Sequence, residues 1–572
     1  MKAPPPVTPS PGVQQYSPLS RKWGLIILFL VVSMLLYHYE RPQIPWPDRT
    51  TKVQLQHTCR PPPPPYLAAT PPSETDPTMV KTFDTLENVL QNRFSLGGLD
   101  SLSVAVVGSN GSLFEGFWGR RRANETNDEE YKKVNRDSVY RVASISKLFT
   151  ALETLILRDR GILNLDDPVS KVLPEFTYHS FYAPITYRSL MSHMSGLGVD
   201  WPPGDASAGW PRSLDGRGPP IFNGLPFPSH QDVFDVIAIT PPVLQPYTFP
   251  VYSNTGYRVL GMANVAANQR FEGPDSPATH AELVSRDIFE PLALNGSSFL
   301  ATDSNSANLV ISSFEPSEVD QDFLDATNPT GGQMSSLSDL IKLMQTFIAP
   351  NRPESLLSPY TLREWMRPLH SWFDDFSEVG APWEIYSSKD KYGRTQKIYQ
   401  KLGELAGHHT AFTINPVNSY GVIVLTTGPT SETIWLTNLI IEHIQSAFDT
   451  ALEDATREVI VGSWISDDEQ SSITIDLDQG SLYVSRYMLN GTDVLGVLQY
   501  SDTPEKLPLW STLENQYRLI VPAPAEGCLF NWVMLDSYGY IDGYSVNTIH
   551  VLGEGSGSTI HIPGVSKGLR RQ

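Results

Sequence analysis

The apolar positions of this chain change rhythm several times, and each rhythm predicts an element. Leu102-Ser103-Val104-Ala105-Val106-Val107 alternates and then runs apolar, which predicts a strand. Residues 108–111 turn the chain, and Leu113-Phe114-Glu115-Gly116-Phe117-Trp118 predicts the hairpin partner. A first helix is expected over 86–94, with globular sequence starting near residue 82. Leu148, Leu152, Leu155 and Ile156 have helical spacing within 144–160, and Gly161 supplies the stop. Mixed helix and loop fill 165–350, and dense proline and glycine over 202–228 predict a long surface loop. Paired strands follow at 401–403, 411–414 and 420–426, and a helix over 433–452 closes this body. The expected fold class is α/β (α+β): a mixed sheet with helices on its faces plus an all-helical lobe.

From about residue 457 no helical period persists. Short β-type segments at 471–477, 482–487, 517–521 and 532–535 are divided by turns such as Asp478-Gln479-Gly480 and Leu489-Asn490-Gly491. They predict a separate small all-β domain over 456–572, a sandwich or lipocalin-like barrel, with a packing or lid role. The main body is expected over 81–453.

The N-terminal pattern differs again. Residues 1–22 are polar and proline-rich and end in Arg21-Lys22; 23–39 are nearly unbroken apolar sequence. Such a run, flanked by Trp23, Tyr37 and Tyr39 and with no small-residue cleavage site after it, predicts a transmembrane signal anchor. Arg21 and Lys22 favour a cytoplasmic tail, giving a single-pass type II protein with a lumenal or extracellular body; secretion after signal cleavage is the alternative. Residues 40–80 read as a proline-rich stem, a passive spacer. Four glycosylation sequons, at Asn110, Asn124, Asn295 and Asn490, agree with that side of the membrane.

Composition narrows the function classes. A formal charge of −20 over 572 residues argues against nucleic-acid binding, and Arg120–Arg122 reads as a solvated strand end. Cys59 and Cys528 are too few for a disulfide scaffold or a zinc site; they form one bridge from stem to C-terminal region, or remain two unpaired thiols. No metal and no cofactor are expected.

The candidate chemistry lies in Arg141-Val142-Ala143-Ser144-Ile145-Ser146-Lys147-Leu148. Ser144 and Lys147 are one helical turn apart and rise from the same face. A desolvated lysine amine at that distance can take the serine proton, and a helix start favours an oxyanion beside it. The bare spacing is weak, since Ser388 and Lys391 repeat it in what reads as a solvated loop. Two further elements strengthen it: Tyr252-Ser253-Asn254 and Lys401-Leu402-Gly403.

The order Ser-x-x-Lys, Tyr-x-Asn, Lys-x-Gly resembles the penicillin-recognising serine hydrolases, in the class C β-lactamase and esterase-like branch. Leu190-Met191-Ser192-His193-Met194-Ser195-Gly196-Leu197, and Gly331-Gly332-Gln333-Met334 followed by Asp339-Leu340, carry the resemblance on. The C-terminal β domain is similar to the extension on some secreted fungal members.

The resemblance implies a β-lactamase/transpeptidase-like fold and an acyl-enzyme on Ser144, with Lys147 and Tyr252 sharing its proton. It also implies that Asn254 and Lys401 bind substrate, and that Ser144 and Glu404, beside Gly403, supply the oxyanion N–H groups. Leu402 and Glu404 argue against a carboxylate-bearing substrate. The expected function is hydrolysis of an ester, lactone or amide of a small molecule. An acyltransferase or transesterase of secondary metabolism, or a non-catalytic ligand-binding homologue, are the alternatives. His193 reads as a packing or turn residue, and His408 and His409 as pocket rim or surface.

Overall fold

The computed structural model describes residues 59–572, apart from 126–131, 179–182, 201–202, 208, 220–222, 514, 523–526, 530 and 554–556. Its centre is an eight-stranded sheet in the order β2-β1-β10-β9-β8-β7-β6-β5. The strands are β1 (Ser101–Gly108), β2 (Gly111–Gly119), β5 (His370–Ser371), β6 (Ser377–Val379), β7 (Glu384–Lys389), β8 (Thr395–Glu404), β9 (His408–Asn415) and β10 (Tyr420–Thr427). A separate two-stranded pair joins β3 (Val139–Arg141) to β4 (Met334–Ser336).

Both faces of the large sheet are covered, which explains why β1, β9 and β10 are buried at every position. Leu102, Val104 and Val106 enter the core beneath helices Pro77–Ser95 and Thr433–Val459. Ala105 and Val107, of opposite parity, enter the larger core shared with the helical lobe and the helix Ser146–Asp159. That helix is buried from Ser146 through Leu157, so it runs through the interior rather than along it.

Several boundaries differ from the sequence reading. The first helix starts at Pro77, nine residues earlier than expected; Asp76 caps it by accepting from the N–H groups of Thr78 and Met79. The stem is described from Cys59, and from there it is no spacer. Pro63, Pro64 and Leu67 are buried, and the Pro61 carbonyl accepts from Ser481 Oγ (2.8 Å) and Arg394 (3.3 Å). Cys59 is disulfide-bonded to Cys528, with Cα atoms 4.8 Å apart.

The C-terminal strands close on themselves. Gly462–Ile465 pairs with both Ser472–Asp478 and Lys567–Arg571, and Ser472–Asp478 also pairs with Ser481–Leu489. The circuit continues through Leu507–Leu513, Gln516–Leu519, Thr548–Leu552 and Thr559–Ile562 back to Lys567–Arg571. This is a barrel rather than a sandwich. Trp464, Ile473, Val484, Leu509, Tyr517, Ile549 and Ile560 pack in one buried cluster there, as in a small barrel filled by its own side chains. Residues 532–535, expected as a strand, lie in the 3-10 helix Asn531–Asp536; a four-residue apolar run does not carry its own period.

Among the described residues no helix is long and apolar enough to cross a membrane. The helix Thr433–Val459 has 27 residues, enough length, but carries Glu442, Asp449, Glu453, Asp454 and Arg457. The expected anchor at 23–39 lies outside the described residues, and the single-pass type II placement is therefore withdrawn. The sequon residues Asn110, Asn124, Asn295 and Asn490 are all exposed.

Candidate active site

Residues 143–145 form a 3-10 turn that runs directly into the helix Ser146–Asp159, so Ser144 sits at the point where the chain enters it. Ala143 is left-handed (φ 48°), a conformation an L residue adopts only when neighbours hold it. They do: Val142 N–H donates to the Gln333 carbonyl (3.0 Å), and the Val142 carbonyl accepts from Thr410 Oγ1 (3.0 Å). Ser146 Oγ donates to the Ala143 carbonyl (2.6 Å) and accepts from Gln333 N–H (3.1 Å).

Gly403 of β8 lies against this turn. A Cβ there would stand 2.3 Å from the Val142 carbonyl oxygen and 2.3 Å from Thr410 Oγ1. One of those atoms is backbone two residues before Ser144, so it cannot swing aside. Gly403→Ala is expected to destabilise the protein by about 1–3 kcal/mol. By displacing Ser144 it should also lower kcat/KM by about 10²-fold. Melting midpoint and turnover of an activated ester read both effects; an unchanged rate would show that β8 does not set the position of Ser144.

Ser144 Oγ accepts from Lys147 Nζ at 2.9 Å and from Tyr252 OH at 2.8 Å. Lys147 is fully buried and its ammonium also donates to the Thr330 carbonyl (2.7 Å), presented by the turn Asn328–Gly332. Lys401 is fully buried too; it pairs with Glu384 of β7 and donates to the Leu402 carbonyl (2.8 Å). The two ammonium groups stand 5.0 and 5.1 Å from the Tyr252 ring centroid. Although 36% of Tyr252 is exposed, its hydroxyl end is the part held among these groups.

The electrostatics follow. Burial pushes the Tyr252 phenol up, but Lys147 and Lys401 outweigh it and its pKa falls below the usual tyrosine value. Burial lowers Lys147, and the charge of Lys401 adds to that effect, against partial support from Tyr252. Lys401 moves the other way: burial lowers it, but Glu384 and Tyr252 more than compensate, so it stays a cation. The site therefore combines a depressed amine, a depressed phenol and a fixed positive charge around one hydroxyl.

Asn254 opens the helix Asn254–Glu272, capped by Ser253, and its amide donates to Asp200 Oδ1 (3.0 Å), an ion-pair partner of Arg258. Its side chain is thus engaged by Asp200, a residue without a signal in the sequence. Glu404 does not add a free charge: its carboxylate meets His409 (2.6 Å), Ser431 (2.8 Å) and Thr433 (3.0 Å), and it raises His409 against the lowering effect of burial. Leu402 packs with the core under helices Pro77–Ser95 and Thr433–Val459. His408 and His409, expected at the rim, are both buried, on opposite sides of β9: His408 against Tyr140, His409 against Glu404.

Glu384, Asp200 and Thr330 joined the site without any sequence signal. Glu384 lies next to Trp383 in an unremarked strand, and only the β7–β8 pairing brings it to Lys401. Among the described residues no group of His, Cys, Asp and Glu is arranged to hold a metal ion.

The β-lactamase family profile matches residues 86–439, a span that contains every group just described. The chain belongs to the β-lactamase family. This family consists generally of serine hydrolases. "Beta-lactamase-like protein str6" of Strobilurus tenacellus is 37% identical over 298 residues, covering 50% of this chain and 96% of that protein. "Beta-lactamase-like protein 4" of Dictyostelium discoideum is 24% identical over 440 residues, 72% of this chain and 71% of that one.

Among solved structures, a class C β-lactamase superposes with a TM-score of 0.51 at 16% identity, covering 65% of this chain and 97% of its own. An octameric penicillin-binding protein homologue from Pyrococcus abyssi gives 0.51 at 17% identity, covering 85% and 99%. These likenesses establish the β-lactamase/transpeptidase-like fold.

Proposed function

We propose that this chain is a serine hydrolase that acts through an acyl-enzyme on an uncharged ester, lactone or amide of a small molecule. The observation that carries this reading is the convergence of Lys147 Nζ and Tyr252 OH on Ser144 Oγ, at 2.9 and 2.8 Å. Ser144 Oγ bonds to the substrate carbonyl carbon as its proton passes to the Lys147–Tyr252 pair. The resulting oxyanion is received by the backbone N–H groups of Ser144 and Glu404. Collapse breaks the bond to the leaving group, which takes the proton from Tyr252. Water, activated by the same phenol, then releases the acid and restores Ser144.

The surroundings support an uncharged, apolar substrate. The charge of Lys401 is answered by Glu384, so a substrate carboxylate would compete with an ion pair already formed on a buried lysine. Phe249, three residues before Tyr252, meets Phe373 (5.7 Å) and His370 (5.9 Å) edge-on, and Phe373 is 87% exposed. Such an aromatic cluster suits an apolar substituent. The hydrolase body and the β domain, expected to divide at 453–456, are taken to divide near residue 460, where the helix Thr433–Val459 ends and the separate apolar core of the barrel begins.

The test is covalent labelling of the purified protein with a fluorophosphonate, the adduct mapped by peptide mass spectrometry. A single adduct on Ser144 is the expected result. A folded protein that takes no adduct there, yet binds small esters, would instead be a binding homologue.

A further inference from the structure

The helix Tyr187–Met191 ends in a paired capping arrangement: Met194 N–H donates to the Ser189 carbonyl (2.8 Å) and His193 N–H to the Leu190 carbonyl (3.3 Å). Its pivotal residue must be left-handed, and glycine ordinarily occupies it. Here it is His193, at φ 60°. A side chain kept in that conformation calls for a reason, and its contacts supply one.

His193 grips Tyr252 from three directions. Its carbonyl accepts from the N–H of Val251 (2.8 Å), and its Nδ1 accepts from the N–H of Ser253 (3.1 Å). The N–H groups of the two residues on either side of Tyr252 are thereby tied to one residue. The imidazole also lies against the Tyr252 ring, centroids 4.6 Å apart and planes 30° apart, with Tyr257 behind it at 5.2 Å. Ser253 in turn caps the helix Asn254–Glu272, its Oγ accepting from Gly256 N–H (2.8 Å).

We propose that His193 is the positioning residue for Tyr252, holding the phenol on Ser144 through the N–H groups of Val251 and Ser253 and through the stacked ring. This rests on the reading of Tyr252 as the proton carrier. Burial, with Lys147 and Lys401 nearby, keeps the imidazole neutral at physiological pH. Since Nδ1 accepts, the ring proton is on Nε2. A neutral ring adds no third cation, so the state of the phenol is left to Lys147 on the nucleophile helix, Lys401 on β8 and Glu384 on β7.

The experiment compares the full chain with His193→Ala, His193→Asn and Tyr252→Phe. Tyr252 ionisation is followed by ultraviolet difference titration against Tyr252→Phe, beside the pH profile of p-nitrophenyl acetate hydrolysis. In His193→Ala the ring drifts from the two ammonium groups. Its titration should move up by about one pH unit. The value of kcat should fall about 10²-fold with a smaller change in KM.

His193→Asn tolerates the left-handed conformation and keeps an acceptor near the Nδ1 position, but has no ring to stack, so it should fall between. A folded His193→Ala with wild-type titration and kcat overturns the proposal. Should that variant fail to fold, His193→Asn decides alone: wild-type behaviour overturns the stacking role, and a shifted titration sustains it. A shifted titration in a protein whose Ser144 takes no fluorophosphonate would sustain the positioning and refute the catalytic reading.

Discussion

Ser144→Ala is expected to lower turnover of an activated ester by about 10⁵- to 10⁶-fold while the protein stays folded. The hydroxyl is the one atom on which the site converges, and no neighbour can replace it. Ser146, two residues on, is committed to the Ala143 carbonyl and Gln333 N–H. In the resting arrangement Ser144 Oγ accepts from both Lys147 and Tyr252. Attack requires one of these bonds to reverse, so that a neutral amine or a phenolate takes the serine proton. The alanine variant leaves two buried donors short of a partner, costing about 1–3 kcal/mol at most. Steady-state kinetics and a melting curve on the same preparation check both statements. Activity within tenfold of wild type would remove Ser144 from the mechanism.

Lys147→Met should lower kcat/KM by about 10³- to 10⁴-fold and also move its pH dependence. Two contributions disappear together. The amine nearest the nucleophile is lost, and Tyr252 loses the larger of the two cationic influences that hold its pKa down. The remaining activity should therefore demand a higher pH, with its acid limb displaced upward. Stability should move in the opposite direction. Lys147 has a lowered pKa in the folded protein, so the unfolded chain binds more protons between the folded and unfolded values. Its penalty to folding is fully present below the folded pKa and fades as pH rises toward the ordinary lysine value. Methionine fills the same space without that penalty, so the variant should melt no lower than wild type near neutral pH. A pH-rate profile and melting curves from pH 6 to 10 test the pair of effects. A slower enzyme with an unmoved acid limb would mean that Lys147 does not govern Tyr252.

The three motifs were legible because each is short and contiguous, and each obeys a local rule. Ser144 and Lys147 meet because a turn of helix places residues three apart on one face. Tyr252 precedes a helix start marked by Ser253. Gly403 is where a strand approaches another backbone too closely for any side chain. The paired strands β8, β9 and β10 announced themselves by apolar runs, although those runs do not say that both faces are covered. Two inferences made from side chains beside the motifs did not survive. Leu402 packs into the core on the side of the long helices, and Glu404 is bound to His409, Ser431 and Thr433, because strand parity and the β8–β9 pairing, not sequence adjacency, decide where a side chain goes.

By itself, then, the sequence singled out Ser144, Lys147 and Tyr252, which the fold brings together, the order of the main elements and the switch to an all-β C-terminal region. Tertiary structure alone decided which charges meet. Glu384 reaches Lys401 through the β7–β8 register, Asp200 reaches Asn254 across a loop, and His193 clamps Tyr252 through a helix end 59 residues upstream. The stem becomes part of the body through contacts with distant segments: Cys59 is bonded to Cys528, 469 residues away, and the Pro61 carbonyl to Ser481 and Arg394. Local patterns encode what a segment can do with its own backbone. The pKa of a buried group depends on neighbours brought in from distant segments, and that information exists only once the chain has folded.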